Sequence, residues 1–158
     1  MLWIPNAAAM MPAPPESATL RTSVPGRMPL HARILLVEDS EDNQLLFCHV
    51  LTKAGATVDC ANDGAQGITM ALEASQQDRP YDLILMDVQM PELDGKEAAR
   101  RLRVSGITSP IVALSAAAME HNRREALEAG CNDFISKPID LGQLVATVRS
   151  WTSRHVRK

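Results

Sequence analysis

Three carboxylates, a hydroxyl and a lysine each follow a short apolar segment of this 158-residue chain. The carboxylates are Glu38 and Asp39 after ILLV and Asp87 after LILM; Ser115 completes IVALS, and Lys137 follows DFIS. Crowded carboxylates repel one another, and a hard divalent cation such as Mg²⁺ (or Mn²⁺) offsets that repulsion. A carboxylate beside a metal and a lysine can act as a nucleophile toward phosphorus, with both cations stabilising the phosphoryl oxygens. These residue types therefore predict phosphoryl transfer at a divalent metal site.

Two of the three carboxylates are expected to bind the cation directly. These are Asp39 and Asp87, whereas Glu38 is expected to act through a water molecule. Mg²⁺ usually takes one or two carboxylates and fills its other positions with waters and phosphate oxygens. The backbone carbonyl of Gln89, two residues after Asp87, is expected to complete the site.

Each of these residues also has an ordinary structural interpretation. Residues 38–40 (EDS) fit a helix cap, Asp87 fits the cap of a turn, Ser115 fits a turn residue, and Lys137 fits a solvated side chain before a proline. Placement at the ends of several predicted strands favours the phosphoryl-transfer interpretation, because the carboxyl ends of parallel strands meet in one crevice.

Short apolar runs alternate with helix-favouring segments along the chain. Continuous runs such as LILM, which ends at a carboxylate before a proline and an Asp-Gly turn, are typical of strands buried on both faces of a parallel sheet. Alternating strands and helices predict an α/β fold, a doubly wound five-stranded parallel sheet in the flavodoxin-like order 2-1-3-4-5. The predicted strands span residues 33–37, 56–61, 83–86, 111–114 and 134–135.

Helices are predicted between these strands, over residues 41–54, 65–74, 96–103, 116–129 and 141–151. The first begins after Ser40, which fits an N-cap, and Gly55 ends it. Its buried stripe is predicted to hold the apolar residues Leu45, Leu46, Val50, Leu51 and Ala54.

Composition divides the chain into an acidic body and two flanking segments. Residues 33–140 hold 10 basic and 18 acidic residues, which leaves 6 basic residues and 1 acidic residue outside them. Residues 1–32, with 5 prolines in the first 25 residues, are predicted to be a disordered leader or linker. Residues 33–151 are predicted to form one domain, and residues 152–158 a basic tail that frays.

These properties disfavour several classes of function and location. An acidic body argues against direct binding of nucleic acid, which requires a basic face. No apolar run approaches the about 20 residues that cross a bilayer, so no membrane segment is predicted. The three cysteines, Cys48, Cys60 and Cys131, form no CxxC motif, which is typical of a reducing compartment and predicts a cytoplasmic location without a disulfide framework or zinc site.

Taken together, the motifs resemble the receiver domain of two-component response regulators. They are Glu38-Asp39, Asp87 within LILMDVQMPELDG, Ser115 within IVALSA, and Lys137-Pro138 within DFISKP. The segments MDVQMPELDG and ALSAAAMEHNRREALEAGCNDFISKPI look most like the receivers attached to hybrid histidine kinases. The resemblance covers residues 33–151 and implies the receiver variant of the flavodoxin-like fold.

The resemblance also implies roles for the site residues. Asp87 would accept a phosphoryl group from a phosphohistidine on a histidine kinase or histidine phosphotransfer domain, with Glu38 and Asp39 completing the Mg²⁺ site. Ser115 and Lys137 would contact the phosphoryl group.

A switch is implied beside these contacts. Phe134 matches the family's switch aromatic, which turns inward as Ser115 moves; core packing is its ordinary interpretation. The family pattern often has Tyr here, so contacts of a phenolic hydroxyl are lost. The Lys137–Pro138 peptide is expected to be cis.

Two other functions remain open from the sequence. One is a receiver-shaped interaction module that is never phosphorylated, although that interpretation expects losses among the site residues and none is lost. The other is a small Mg²⁺-dependent phosphohydrolase with Asp87 as nucleophile, which would need an acid–base carboxylate where Gln89 stands. The sequence also leaves open whether the receiver is free-standing or part of a hybrid kinase.

Overall fold

A computed structural model describes residues 29–90, 93–115 and 120–156, without the side chains of residues 120–122 and 154–156. Within these ranges the strands are β1 (Arg33–Val37), β2 (Thr57–Ala61), β3 (Leu83–Asp87), β4 (Ile111–Ser115) and β5 (Asp133–Ser136). The helices that alternate with them are α1 (Glu41–Lys53), α2 (Gly64–Gln76), α3 (Gly95–Val104), α4 (Glu120–Glu128) and α5 (Leu141–Val156). Most of the predicted leader (1–28), the predicted start of the fourth helix (116–119) and the last two tail residues (157–158) lie outside the described residues.

The five strands form one parallel sheet in the order β2-β1-β3-β4-β5, which confirms the predicted order 2-1-3-4-5. Every residue of β3 and β4 is buried, as continuous apolar runs require in the middle of a covered sheet. The edge strands β2 and β5 are only partly buried.

Alternate residues of the central strands face two separate cores. One core joins the sheet to α2, α3 and α4 and includes Leu35, Val37, Ile84 and Met86. The other joins it to α1 and α5 and includes Ile34, Leu36, Leu83 and Leu85. Helices therefore cover both faces of the sheet, and its carboxyl edge is left accessible for side chains.

The buried face of α1 differs from the predicted stripe. Leu45 is 71% exposed and Leu46 is 44% exposed, whereas Phe47 and Leu51 are buried in the second core. Residues four apart share a helix face, but adjacent residues do not. Phe47 therefore takes the core position with Leu51, and the prediction of Leu45 and Leu46 as core residues was wrong.

Both predicted boundaries of the domain need correction where the structure describes them. Leu30 and Ala32 are buried, and the Leu30 amide donates to the Ala54 carbonyl at 2.8 Å. Helix α5 continues past residue 151, and Thr152 is buried with its hydroxyl donating to the Val148 carbonyl at 2.8 Å. The chain therefore packs on the sheet from residue 30, and residue 152 belongs to the last helix, because both segments bury apolar or hydrogen-bonded groups.

Gly55 ends the first helical segment as predicted. Its φ of +108° lies in the left-handed region, and a Cβ there would come within 2.7 Å of the Pro29 Cβ. Glycine is required here for both reasons. This turn is the place where residues 29–32 pack against the start of β2.

Candidate functional site

The carboxyl ends of the strands meet through backbone hydrogen bonds. The Glu38 amide donates to the Ala61 carbonyl at 3.1 Å, and the Val88 amide donates to the Leu114 carbonyl at 2.9 Å. The Lys137 amide donates to the Ser115 carbonyl at 2.6 Å. The sheet thus brings the predicted site residues to one edge, at the switch point between β1 and β3.

The three predicted metal-binding carboxylates form a cluster. Glu38, Asp39 and Asp87 each offer an oxygen atom, and these atoms all lie within 4.8 Å of one another. Glu38 and Asp87 are each 1% exposed, while Asp39 is exposed. Two carboxylates are therefore held out of solvent and the third faces it.

The carboxylate of Asp87 is held by two donors. Its Oδ1 accepts the Gln89 backbone amide at 2.9 Å, and its Oδ2 accepts Lys137 Nζ at 3.0 Å. Hydrogen bonds to an ionised carboxylate are among the stronger ones in proteins. Gln89 thus contacts the site through its amide nitrogen, and metal binding by its carbonyl stays a prediction.

The carboxylate of Glu38 is only partly compensated. Its Oε2 accepts the Ser40 amide and Asn43 Nδ2, each at 3.3 Å, while Oε1 is buried without a hydrogen-bond partner and lies 3.7 Å from Lys137 Nζ. Burial raises the pKa of the Glu38 carboxyl, the charge of Asp87 raises it further, and Lys137 opposes both effects. A buried carboxylate oxygen in an acidic cluster is suited to hold a hard divalent cation, either directly or through a water molecule of its coordination shell.

Local structure on either side positions these carboxylates. Ser40 caps α1 as predicted, accepting the Asn43 amide at 3.3 Å, so the helix begins directly after Asp39. Gly95 begins α3 against β3, where a Cβ would lie 2.3 Å from the Asp87 carbonyl oxygen. Sequence reasoning treated Gly95 as a turn residue and missed Asn43, whose position three residues after the cap was the available signal.

The predicted switch residues lie on adjacent strands. Ser115 at the end of β4 is 2% exposed and lines a cleft next to Gln89. Phe134 on β5 is half-buried and packs against the core shared with α4. The Lys137–Pro138 peptide is cis, as expected. The structure therefore brings Ser115 and Lys137 to the same end of the sheet as the three carboxylates, whereas Phe134 pairs with Ala113 in the middle of β4. The individual roles of these residues stay predictions.

The structure combines a parallel α/β sheet with an acidic cluster, a lysine and a hydroxyl at its switch point. Comparison with known proteins identifies the class that has this combination. A family model described as the response regulator receiver domain matches residues 34–149. Two-component response regulator ORR41 of Oryza sativa subsp. japonica is 42% identical over 122 residues, which cover 74% of this chain and 94% of ORR41. Sensor histidine kinase GacS of Pseudomonas protegens is 38% identical over 130 residues, which cover 79% of this chain and 14% of GacS.

Solved structures agree with these relatives. The receiver domain of sensor histidine kinase PA1611 from Pseudomonas aeruginosa, with a magnesium ion coordinated in its active site cleft, has a TM-score of 0.69 and 35% identity, covering 78% of this chain and 98% of that one. A chain from the co-crystal structure of the Saccharomyces cerevisiae histidine phosphotransfer protein Ypd1 and the receiver domain of Ssk1 has a TM-score of 0.70 and 29% identity, covering 80% of this chain and 91% of that one.

The chain belongs to the response regulator receiver domain family, which confirms the resemblance. It is a receiver domain of two-component signal transduction, a class whose members bind Mg²⁺ in the acidic site and interact with histidine kinases or phosphotransfer proteins. It spans nearly the whole of ORR41 but about one seventh of GacS. Among the described residues, no helix is both long enough and apolar enough to pass through a bilayer.

Proposed function

We propose that Asp87 accepts a phosphoryl group from the phosphohistidine of a histidine kinase or histidine phosphotransfer domain, and that the modified site changes a protein-binding surface. The observation that supports this assignment is the Asp87 carboxylate itself, which is 1% exposed, bonded to Lys137 Nζ at 3.0 Å and flanked by two further carboxylates. A buried carboxylate with a cation at one oxygen is suited to carry a transferred group whose charge needs compensation.

The transfer exchanges one bond to phosphorus for another. A carboxylate oxygen of Asp87 attacks phosphorus, and the bond between phosphorus and the donor imidazole nitrogen breaks. The electron pair of that bond stays on the imidazole, which binds a proton and leaves as neutral histidine. The product on Asp87 is an acyl phosphate, with Lys137 Nζ and Ser115 Oγ as proposed donors to its phosphoryl oxygens.

The residues around Asp87 fit a divalent cation, since Glu38 has a buried Oε1 without a hydrogen-bond partner and three carboxylates share the site. We assign Mg²⁺, or Mn²⁺ in its place, to Asp39 and Asp87 directly, to Glu38 through water and to the Gln89 carbonyl. When bound, the cation supplies positive charge that offsets the carboxylates and the phosphoryl oxygens.

A small phosphodonor tests this proposal without a partner protein. The chain is incubated with phosphoramidate and Mg²⁺ and examined by intact mass spectrometry. We expect wild type to gain one alkali-labile phosphoryl group and Asp87→Asn to gain none. Asp63→Asn, at the N-cap of α2, is the matched control, because Asn caps a helix as well as Asp does and phosphorylation should be unchanged.

The same incubation, repeated with a phosphomonoester and followed by phosphate release, separates the two alternatives. A phosphohydrolase would release inorganic phosphate from a phosphomonoester at a steady rate, and a binding module would neither gain a phosphoryl group nor turn over. Absence of modification in wild type at saturating Mg²⁺ would contradict the proposed role of Asp87.

We further propose that phosphorylation shifts the face formed by β4, α4 and β5. Ser115 and Phe134 lie on the two strands of this face, and Phe134 is only half-buried, so its ring is not locked inside the core against which it packs. Full switching from 1:99 to 99:1 needs about 5.5 kcal/mol, whereas two charge-assisted hydrogen bonds supply about half of that. We therefore expect a partial shift until a partner binds, and identical amide spectra of this face before and after phosphorylation would contradict it.

The boundaries and location of the receiver are also proposals. We propose a receiver unit that extends from about residue 30 to the end of α5, preceded by a proline-rich leader or linker and followed by a short basic tail. Burial of Leu30, Ala32 and Thr152 supports these limits. Free thiols at all three cysteines support a cytoplasmic location.

A further inference from the structure

A cleft beside the end of β3 contains a cation that the proposed chemistry does not use. Its volume is about 370 Å³, and it is lined by Val88, Gln89, Met90, Asp94, Lys96 and Ser115. Two of these residues directly follow Asp87 in the chain, and Ser115 ends the neighbouring strand. Among the described residues that line this cleft, Lys96 supplies the positive charge, since Asp94 is acidic and the others are neutral.

The start of α3 fixes Lys96 close to the phosphoacceptor. Gly95 packs so tightly on β3 that a Cβ there would lie 2.3 Å from the Asp87 carbonyl oxygen. The Gly95 amide also donates to the Val88 carbonyl at 3.3 Å. Lys96 is the next residue, so its backbone position is set by the end of β3 and its flexible stem can reach along the cleft.

An acidic residue of another helix holds the Lys96 ammonium group. Lys96 Nζ lies 2.7 Å from Oε1 of Glu125 on α4, and their side chains are 28% and 48% exposed. An ion pair this exposed contributes little to stability, about 0 to 1 kcal/mol. It is therefore readily replaced when a stronger anion enters the cleft.

Lys96 lies at the boundary between two clefts, since it lines both. The second cleft, of about 360 Å³, is the more acidic and is lined by Lys96 and Arg100 together with the acidic residues Asp94, Glu97, Glu125 and Glu128. An ammonium group at this boundary has anionic partners on the α4 side and would meet a phosphoryl group or phosphodonor on the other. The Lys96 ammonium group then has two competing anionic partners, which are Glu125 and the phosphoryl group or phosphodonor.

We infer that Lys96 binds an anion that enters the cleft beside Asp87 and that Glu125 competes with the anion for it. This inference rests on the proposed function of Asp87. When an anionic phosphodonor or the phosphoryl group occupies the cleft, Lys96 moves from Glu125 to that anion, and α4 loses this ion pair with α3. Occupancy of the cleft and the position of α4 are thereby coupled through one side chain, in addition to the coupling through Ser115.

The test measures the rate of phosphorylation by phosphoramidate at saturating Mg²⁺ in the whole chain. Lys96→Ala is expected to lower the second-order rate constant by about threefold, because one partly exposed ionic contact is lost. Glu125→Gln is expected to raise it by about twofold, since Lys96 is released toward the cleft. Lys96→Arg should retain most of the wild-type rate.

Glu128→Gln is the matched control. Glu128 lies on α4 and lines the same acidic cleft, and its replacement changes the net charge by the same amount as Glu125→Gln. If both glutamate variants raise the rate equally, the effect is general electrostatics and the inference is wrong. Equal rates for wild type, Lys96→Ala and Lys96→Gln, with Asp87-dependent modification intact, would also overturn it while leaving the role of Asp87 standing.

A second measurement reads the coupling to α4 directly. In wild type, the amide resonances of Arg124, Glu125 and Ala126 should shift on phosphorylation. In Glu125→Gln, the unphosphorylated protein should already show part of this shift, whereas Glu128→Gln should not. Unchanged resonances in Glu125→Gln would contradict the competition between Glu125 and the cleft.

Discussion

The carboxyl ends of the strands form one edge of the sheet and the amino ends form the other, and buried polar groups are compensated differently at these two edges. At the carboxyl edge, Glu38 and Asp87 are both 1% exposed, yet one lysine faces them and Glu38 Oε1 has no hydrogen-bond partner. At the amino edge, polar side chains are paired in networks. The same strands therefore end in a charged, incompletely compensated site on one side and begin in a hydrogen-bonded network on the other.

The network at the amino edge is centred on Arg103. Its guanidinium donates to the carbonyls of Gly130, Ile107 and Ser109 at 2.8–3.0 Å and to Asn132 Oδ1 at 2.7 Å. These groups belong to the loops that lead into β4 and β5. Arg103 thus donates hydrogen bonds to several loop carbonyls that have no partner within the strands.

A second group at the amino edge surrounds Tyr81. Its hydroxyl donates to Asp59 Oδ2 at 2.7 Å, Arg33 lies 4.3 Å above its ring, and Ser109 Oγ donates to its carbonyl at 2.6 Å. Each of these polar groups has a partner, whereas the carboxyl edge keeps excess negative charge. The difference teaches that polar groups at the amino edge are satisfied by their neighbours, whereas the carboxyl edge has uncompensated charge that suits the proposed cation and phosphoryl group.

The largest predicted effect concerns the amino edge. Arg103→Ala should lower the free energy of unfolding by about 3 kcal/mol, because four hydrogen bonds to loop groups are lost together. Urea denaturation measures the change. Arg101→Ala on the same helix should shift it by less than about 0.5 kcal/mol, since its pair with Glu97 is exposed. If Arg103→Ala and Arg101→Ala lowered the free energy of unfolding equally, the hydrogen-bond network at the amino edge would not contribute the stability expected of it.

Mg²⁺ should produce the next largest effect, and at the carboxyl edge alone. A concentration one hundred times the dissociation constant stabilises the folded state by about 2.7 kcal/mol, if the unfolded chain does not bind the ion. Thermal unfolding at increasing Mg²⁺ measures this gain. Asp87→Asn should reduce it strongly, while Asp59→Asn at the other edge should leave the gain unchanged even if it lowers the starting stability.

The amino edge should also respond to high pH through Tyr81. Burial and the hydrogen bond to Asp59 raise the pKa of Tyr81 to about 12, above the ordinary value of 10. A folded-state pKa that is raised gives stability that is complete below pH 10 and is lost as pH rises to about 12. We expect a loss of about 2 kcal/mol over this interval. Tyr81→Phe should show a smaller loss in the same urea titrations.

The smallest predicted effect is a substitution that stabilises the folded state. Without added metal, Glu38→Gln should raise the free energy of unfolding by about 1 kcal/mol, because it removes the repulsion between two buried carboxylates while keeping a side chain of the same shape. With Mg²⁺ present, the variant should gain less than wild type. A destabilised Glu38→Gln in the absence of metal would show that Glu38 is already compensated by Lys137, and the contrast between the edges would be weaker.

The strands and the site residues at their ends followed from local patterns. An apolar run that stops at a carboxylate defines both the strand and the position of the side chain after it, as at Asp87. Parallel topology then brings such ends together, so Glu38, Ser115 and Lys137 were found without knowledge of their distances. The face of α1 was predicted wrongly, because Leu45 and Phe47 are equally apolar and the choice between them depends on how the helix sits on the sheet.

The sequence by itself determined the order of the elements, the parallel sheet and the set of residues at its carboxyl edge, because these depend on patterns within short segments. Only the tertiary structure decided the contacts that join distant segments, such as Lys96 with Glu125 and Arg103 with Asn132. It also decided that Gly95 must lack a side chain against Asp87. Such contacts depend on the packing of whole helices on the sheet, and no local pattern of residues encodes the distance between two helices.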